Sequence, residues 1–188
     1  NTRTNMLIPS VQWSYLKSNH SINPSDGYKI DITLSGAAKQ ALSRNSFFQV
    51  KASIKYLHTF GTTHTRFLTR AEIGHTVINH IENLPLSLQL LAGGAQSIRG
   101  YSYNSIGPGR NSFVGSVEIQ QRIKGDFYIG AFYDAGTVSN KLFHNILQGV
   151  GPAFIWLSPV GMMELSLAHA LSNRGANWAI QFSMGPTL

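Results

Sequence analysis

The sequence predicts an all-β fold, an antiparallel meander of nine strands spread over 188 residues. Three observations predict it. Side chains alternate between apolar and polar with period two along most of the chain, the spacing of a strand with two different faces. The connections between alternating segments switch between short and longer, the asymmetry of an outer-membrane barrel. Only 12% of residues are charged, against roughly 25% in ordinary globular proteins. Hydrophobic residues reach 43%, yet no run approaches the ~18 apolar residues of a membrane helix. Alternation alone fits a soluble sandwich as well as a transmembrane barrel. The low charge, the single meander and the loop asymmetry favour the barrel.

The elements follow in order. From Leu7 to Tyr15, Leu7, Pro9, Val11, Trp13 and Tyr15 share one face, with Pro9 marking an edge. The run Asn23–Gly27 is a tight turn, in which Pro24 sets φ, Asp26 bonds locally and Gly27 takes a positive φ. Tyr28, Ile30, Ile32 and Leu34 then alternate with Lys29, Asp31, Thr33 and Ser35. After a connection at Gly36–Asn45, Phe48, Val50, Ala52, Ile54 and Tyr56 alternate with Gln49, Lys51, Ser53 and Lys55. A turn at Gly61–Thr63 leads to Phe67, Ala71 and Ile73, set against Arg66, Arg70 and Glu72.

Residues 79–111 break the rhythm and read as one long loop. Alternation resumes with Phe113, Val117 and Ile119 against Val114, Ser116, Glu118, Gln120 and Arg122. Lys124-Gly125 is a short turn. Ile129, Ala131 and Tyr133 oppose Tyr128, Gly130, Phe132 and Asp134, and a loop at Val138–Leu147 leads to the strand Val150–Leu157. The turn Ser158–Gly161 precedes Met163, Leu165 and Leu167, which alternate with Glu164, Ser166 and Ala168. After Ser172–Gly175, Trp178, Ile180, Phe182 and Met184 oppose Ala179, Gln181, Ser183 and Gly185. Trp13, Trp156 and Trp178 are expected to belong to the aromatic girdle at the membrane interfaces.

Several function classes find no support. There are no cysteines, so disulfides and thiolate metal sites are excluded. Seven histidines show no metal-ligand spacing on one face, and no metal or cofactor is expected. The net charge of +7 is not clustered: Lys29, Lys51, Lys55, Arg66, Arg70 and Arg122 lie inside alternating segments. A basic barrel lumen accounts for them without nucleic acid. No Gly-x-Ser-x-Gly elbow exists, and Gly107-Pro108-Gly109-Arg110 lacks the residues of a phosphate loop. The chain opens on Asn1 without a signal-peptide pattern, which reads as part of something longer.

The long loop carries Gly93, Gly94, Ser97, Ile98, Arg99, Gly100 and Tyr101. Paired glycines permit close backbone approach, and a guanidinium flanked by glycine and an aromatic can enter a confined space. Glu118 and Asp134 stand on the polar faces of the next two strands. A catalytic pair would need a nucleophile or sugar-binding aromatics beside them, and none is readable. Pairing with Arg99 would spare all three an uncompensated charge in a narrow interior.

This segment resembles the signature loop of the outer-membrane barrel translocases that carry periplasmic POTRA domains, the bacterial surface antigen superfamily. Gly115–Glu118 is similar to the acidic strand that follows the loop in that family. Phe132, Asp134 and Gly136 are similar to its Phe-x-Asp-x-Gly motif. Ser105–Pro108, Trp156–Gly161 and the ending Met184–Leu188 resemble the TamA branch in particular. The resemblance spans Asp26 to Leu188. It departs at the last residue, Leu188, where many such barrels end in an aromatic.

The resemblance implies that residues 1–188 are the C-terminal nine strands of a sixteen-stranded transmembrane β-barrel in the bacterial outer membrane, with the loop 79–111 folded into the lumen. It implies protein assembly or translocation without an enzymatic reaction. Client strands would enter through a lateral seam at the last strand, Trp178, Ile180, Phe182, Met184 and Gly185. The implied partners are client outer-membrane proteins, the lipid bilayer, and a periplasmic or inner-membrane partner reached through N-terminal domains. A passive pore is the alternative. Nine strands leave two unpaired edges, so pairing with a second copy or with strands outside this segment is also expected.

Overall fold

The computed structural model describes residues 8–20, 23–37, 46–81, 84–141, 144–172 and 178–188. Leu7, Asn45 and residues 173–175, to which the sequence reading assigned strand and connection roles, lie outside them. Eleven strands form, in chain order: β1 (Ser10–Ser18), β2 (Gly27–Ala37), β3 (Phe47–Phe60), β4 (Thr65–Ile78), β5 (Leu90–Ala92), β6 (Ile106–Gly109), β7 (Asn111–Lys124), β8 (Phe127–Ser139), β9 (Leu147–Ser158), β10 (Gly161–Ala170) and β11 (Trp178–Gly185). Nine of them make one antiparallel meander in the order β1-β2-β3-β4-β7-β8-β9-β10-β11. β5 and β6 form a separate two-stranded sheet, so the stretch read as an irregular loop contains its own hairpin.

The strands run longer than their apolar alternation. β4 continues past Ile73 to Ile78, and β3 past Tyr56 to Phe60, because the backbone ladder pairs polar and apolar residues alike. At the start the reverse holds: β1 begins at Ser10, and Pro9 supplies only its carbonyl, to the Gly36 N–H at 3.2 Å. The short hairpins fix the register. Gly125, at φ 55°, turns β7 into β8 with Lys124 paired to Phe127 and a bulge between Arg122 and Lys124. Gly161 pairs with Ser158 across the turn into β10.

The two faces of the sheet differ in chemistry. One exposes Trp13, Tyr15, Ile54, Ile73, Val117, Ile119, Ile129, Tyr133, Phe154, Trp156, Leu165, Leu167, Ile180 and Phe182. A face this apolar and continuous requires a nonaqueous neighbour. Trp156 and Trp178 lie near opposite ends of their strands. Trp13 instead sits in the middle of β1, stacked on Tyr15 with ring centroids 6.1 Å apart. The other face buries Arg66, Ser116, Glu118, Gln120, Asp134 and Glu164.

The sheet is strongly curled toward the polar face. β2 and β9 are five strand spacings apart in the sheet order, about 24 Å if the sheet were flat. Yet Asn23, in the β1–β2 turn, donates from Nδ2 to the Ser158 carbonyl at the end of β9 at 3.0 Å. The buried C-terminal Leu188 likewise packs where a Cβ on Gly27 would stand. The long loop lies inside this curl.

Candidate functional site

The loop between β4 and β7 is shaped before it touches the sheet. Gly93 and Gly94 both adopt positive φ, 104° and 106°, a region that favours glycine. Their backbone closes a compact knot. The Gly93 N–H donates to Ser97 Oγ at 3.1 Å, the Gly94 N–H to the Ile98 carbonyl at 3.3 Å, and the Ser97 N–H to the Gly94 carbonyl at 3.0 Å. Ile98, fully buried, anchors the knot in a small apolar core with Leu90, Ala92, Ile106, Val114 and Val138, against which Tyr101 packs. A Cβ on Gly136 would meet Ile98 Cδ1 at 2.8 Å, so the small residue on β8 makes room for the loop.

This packing delivers Arg99, 3% exposed, into the polar face. Its side chain spends all of its donors on four residues of three strands. Nε donates to Asp134 Oδ2 at 2.8 Å and Nη2 to Asp134 Oδ1 at 2.8 Å. Nη1 donates to Glu118 Oε2 at 2.5 Å and to Glu164 Oε1 at 2.7 Å. Nη2 also reaches Ser116 Oγ at 3.1 Å. The guanidinium carbon stands 3.5 Å from the centre of the Phe132 ring, a cation–π contact on its flat side. The loop backbone is fixed as well. The Gly100 N–H donates to Gln181 Oε1 at 3.1 Å, Gln181 Nε2 donates to the Tyr101 carbonyl at 2.8 Å, and Tyr101 Oη donates to the Gln148 carbonyl at 3.3 Å.

The motif residues are thus gathered around one guanidinium, with Glu118, Asp134, Phe132 and Gly136 on the wall beneath. Sequence reading missed three others. Glu164 carried a signal, since it alternates onto the polar face of its strand, but it lies 65 residues from Arg99. Gln181 was placed on the polar face of the last strand without a role. Gly149 carried no signal: it precedes the stretch expected as a strand, yet its missing side chain leaves the space taken by the Arg99 carbonyl. The last strand β11 exposes Trp178, Ile180, Phe182 and Met184 and has β10 as its partner, leaving its other edge free among the described residues.

A buried cation is costly unless paired and hydrogen-bonded, and each carboxyl group here faces the same one. The arrangement holds a loop against a wall. Among the described residues no group of three or more His, Asp or Glu side chains is placed to hold a metal ion.

An apolar outer face, a polar inner face and a loop pinned inside the curl by a buried ion cluster define a segment of transmembrane β-barrel with an internal loop. The Omp85 superfamily domain matches residues 2–188, and the chain belongs to that superfamily. Its fold is similar to that of BamA from Haemophilus ducreyi lacking POTRA domains 1–3, with a TM-score of 0.76 at 21% identity over 92% of this chain. The chain spans 40% of the length of that protein. Family and fold together place it in the bacterial outer membrane.

Proposed function

We propose that this chain is the C-terminal part of a barrel that assembles or translocates other proteins at the outer membrane, without an enzymatic reaction. One observation carries the reading: a loop guanidinium bonded to carboxylates on β7, β8 and β10 at once. A passive channel needs no such brace, whereas this loop lies against the polar face and ties β7, β8 and β10 together. The sixteen-stranded barrel and the TamA-like branch belong to the same proposal, the latter resting on Ser105–Pro108 and the ending Met184–Leu188.

In this reading the free edge of β11 offers its backbone N–H and C=O groups to a client strand, which is β-augmentation. Pro186 cannot donate to a ladder and ends the edge. The partners are client outer-membrane proteins, the surrounding lipid, and a periplasmic or inner-membrane partner docked on N-terminal domains. The test uses the full-length protein in client-assembly and vesicle-swelling assays. Assembly of client barrels by the wild type, reduced in Arg99→Ala at equal abundance, supports the proposal. A constitutive wide pore with client assembly indifferent to Arg99→Ala overturns it in favour of a passive pore.

A further inference from the structure

A second guanidinium is buried on the same face, and among the described residues no carboxylate touches it. Arg66 on β4 is 1% exposed. Its Nη1 donates to Gln120 Oε1 at 2.8 Å and its Nη2 reaches the Pro24 carbonyl at 3.4 Å. Its guanidinium carbon lies 5.4 Å from the centre of the Tyr128 ring, and its Nε has no partner. Such a cation is costly unless its charge is compensated nearby. Gln120, fully buried on β7, supplies the link: its Nε2 donates to Glu118 Oε1 at 2.6 Å. The other oxygen of Glu118 accepts from Arg99.

The amide orientation follows from its neighbours. Oxygen must face the cation and nitrogen must face the anion, and the geometry satisfies both. Gln120 therefore adapts one guanidinium to the carboxylate of the other. At its far end the chain of bonds reaches the β1–β2 turn, where Pro24 is buried, Asn23 holds Ser158, and the Ser25 carbonyl accepts from Thr59 Oγ1 at 2.5 Å. That turn lies at the end of the strands opposite the Arg99 loop.

We infer that Arg66 and Gln120 are positioning residues that couple the β1–β2 turn to the Arg99 loop through Glu118. The coupling has a physical cause. Removal of the Arg99 cation leaves Glu118 Oε2 without that partner while Oε1 stays tied to Arg66 through Gln120, and a guanidinium drawn toward Glu118 leaves the Pro24 carbonyl. The inference goes beyond the proposed activity, because it is read in the turn and needs no client.

Hydrogen exchange on the full-length protein in nanodiscs tests it, monitored at the turn amides of Asn19, Ser25 and Asp26. Arg99→Ala is expected to speed turn exchange about tenfold, the scale of one lost charge-assisted hydrogen bond. Arg66→Met is expected to speed it by itself, and Arg99→Ala added to Arg66→Met is expected to add nothing. Gln120→Leu serves as a second background if Arg66→Met does not assemble. The exchanged pair Arg66→Gln with Gln120→Arg rebuilds the bonds in reverse order and is expected to return turn exchange to the wild-type rate, which a role in volume alone would not do. Faster loop exchange in Arg99→Ala with the turn at its wild-type rate overturns the inference. So do fully multiplicative effects in both backgrounds.

Discussion

Asp134 accepts three N–H groups from Arg99: the side-chain Nε and Nη2, each at 2.8 Å, and the backbone amide at 2.9 Å. One carboxylate therefore fixes both the direction of the guanidinium and the path of the loop that carries it. Glu118 and Glu164 share the remaining nitrogen, Nη1. The cluster is graded, with Asp134 as the geometric partner and the two glutamates as further compensation.

The grading predicts an order of effects. Asp134→Asn loses the two-pronged pairing and its charge, and should destabilise the barrel by about 3–5 kcal/mol, the scale for breaking one side of a buried pair. Glu164→Gln should cost less, since Glu118 still faces Nη1. Arg99→Lys keeps the charge but lacks the planar fork, and should fall closer to Arg99→Ala than to the wild type. Urea unfolding in detergent, followed by barrel mobility on gels, measures all four. Equal effects of Asp134→Asn and Glu164→Gln would contradict the grading.

Gly149 predicts a second effect through space alone. A Cβ there would overlap the Arg99 carbonyl, backbone that cannot move without dragging the guanidinium off its partners. Gly149→Ala should loosen the loop by roughly 1–3 kcal/mol, the scale of overpacking, with every ionic residue intact. Protease cleavage at the exposed Tyr103 reports loop release. Cleavage at the wild-type rate would show that the strand yields instead.

These two positions show what the sequence could disclose. Period two displays which side chains share a face, so Glu118, Asp134 and Glu164 were all readable on the polar side. Arg99 stood out because glycines and an aromatic surround it. Partnership across distant strands depends on how far the sheet curls, and alternation is silent on curl. That is why Glu164 and Gln181 went unassigned. The β5–β6 hairpin escaped because its strands, Leu90–Ala92 and Ile106–Gly109, are too short to show a period. Strand ends escaped because ladder bonds continue where the apolar face stops.

The β1–β2 turn predicts a response to acid. Burial raises the affinity of Asp26 for a proton, but the Thr59 N–H, the Ser25 hydroxyl and His58 outweigh it and hold the carboxyl below its ordinary 3.8. The Thr59 amide donates to Asp26 Oδ1 at 3.3 Å, and His58 Nδ1 lies 2.6 Å from the same oxygen. A carboxylate with a depressed folded value contributes stability that is complete above the unfolded value and fades as pH falls through the folded one. The Thr59 amide should therefore exchange faster below about pH 4, after correction for intrinsic rates, and Asp26→Asn should abolish that step. The site is partly exposed, so the change should remain local. A pH-independent Thr59 amide would remove Asp26 as its acceptor.

Strand parity predicts the state of association. Nine antiparallel strands make the two edges, β1 and β11, run in the same direction. Two copies inserted with the same sidedness can therefore bring together only edges that form parallel ladders. Bacterial single-chain outer-membrane barrels close with an even number of antiparallel strands, and an odd number of additional strands satisfies both edges that way; the seven implied by a sixteen-stranded barrel are such a number. Of the two ways to cover the edges that the sequence suggested, pairing with a second copy is thus disfavoured, and completion by strands outside this segment is favoured. The full-length protein should be a monomer in detergent by light scattering. Cysteines placed at Trp13 on β1 and Ile180 on β11 should give no disulfide between copies under oxidation. A cross-linked dimer through these two positions would mean that the edges meet in parallel, and the closure argued from parity would fail.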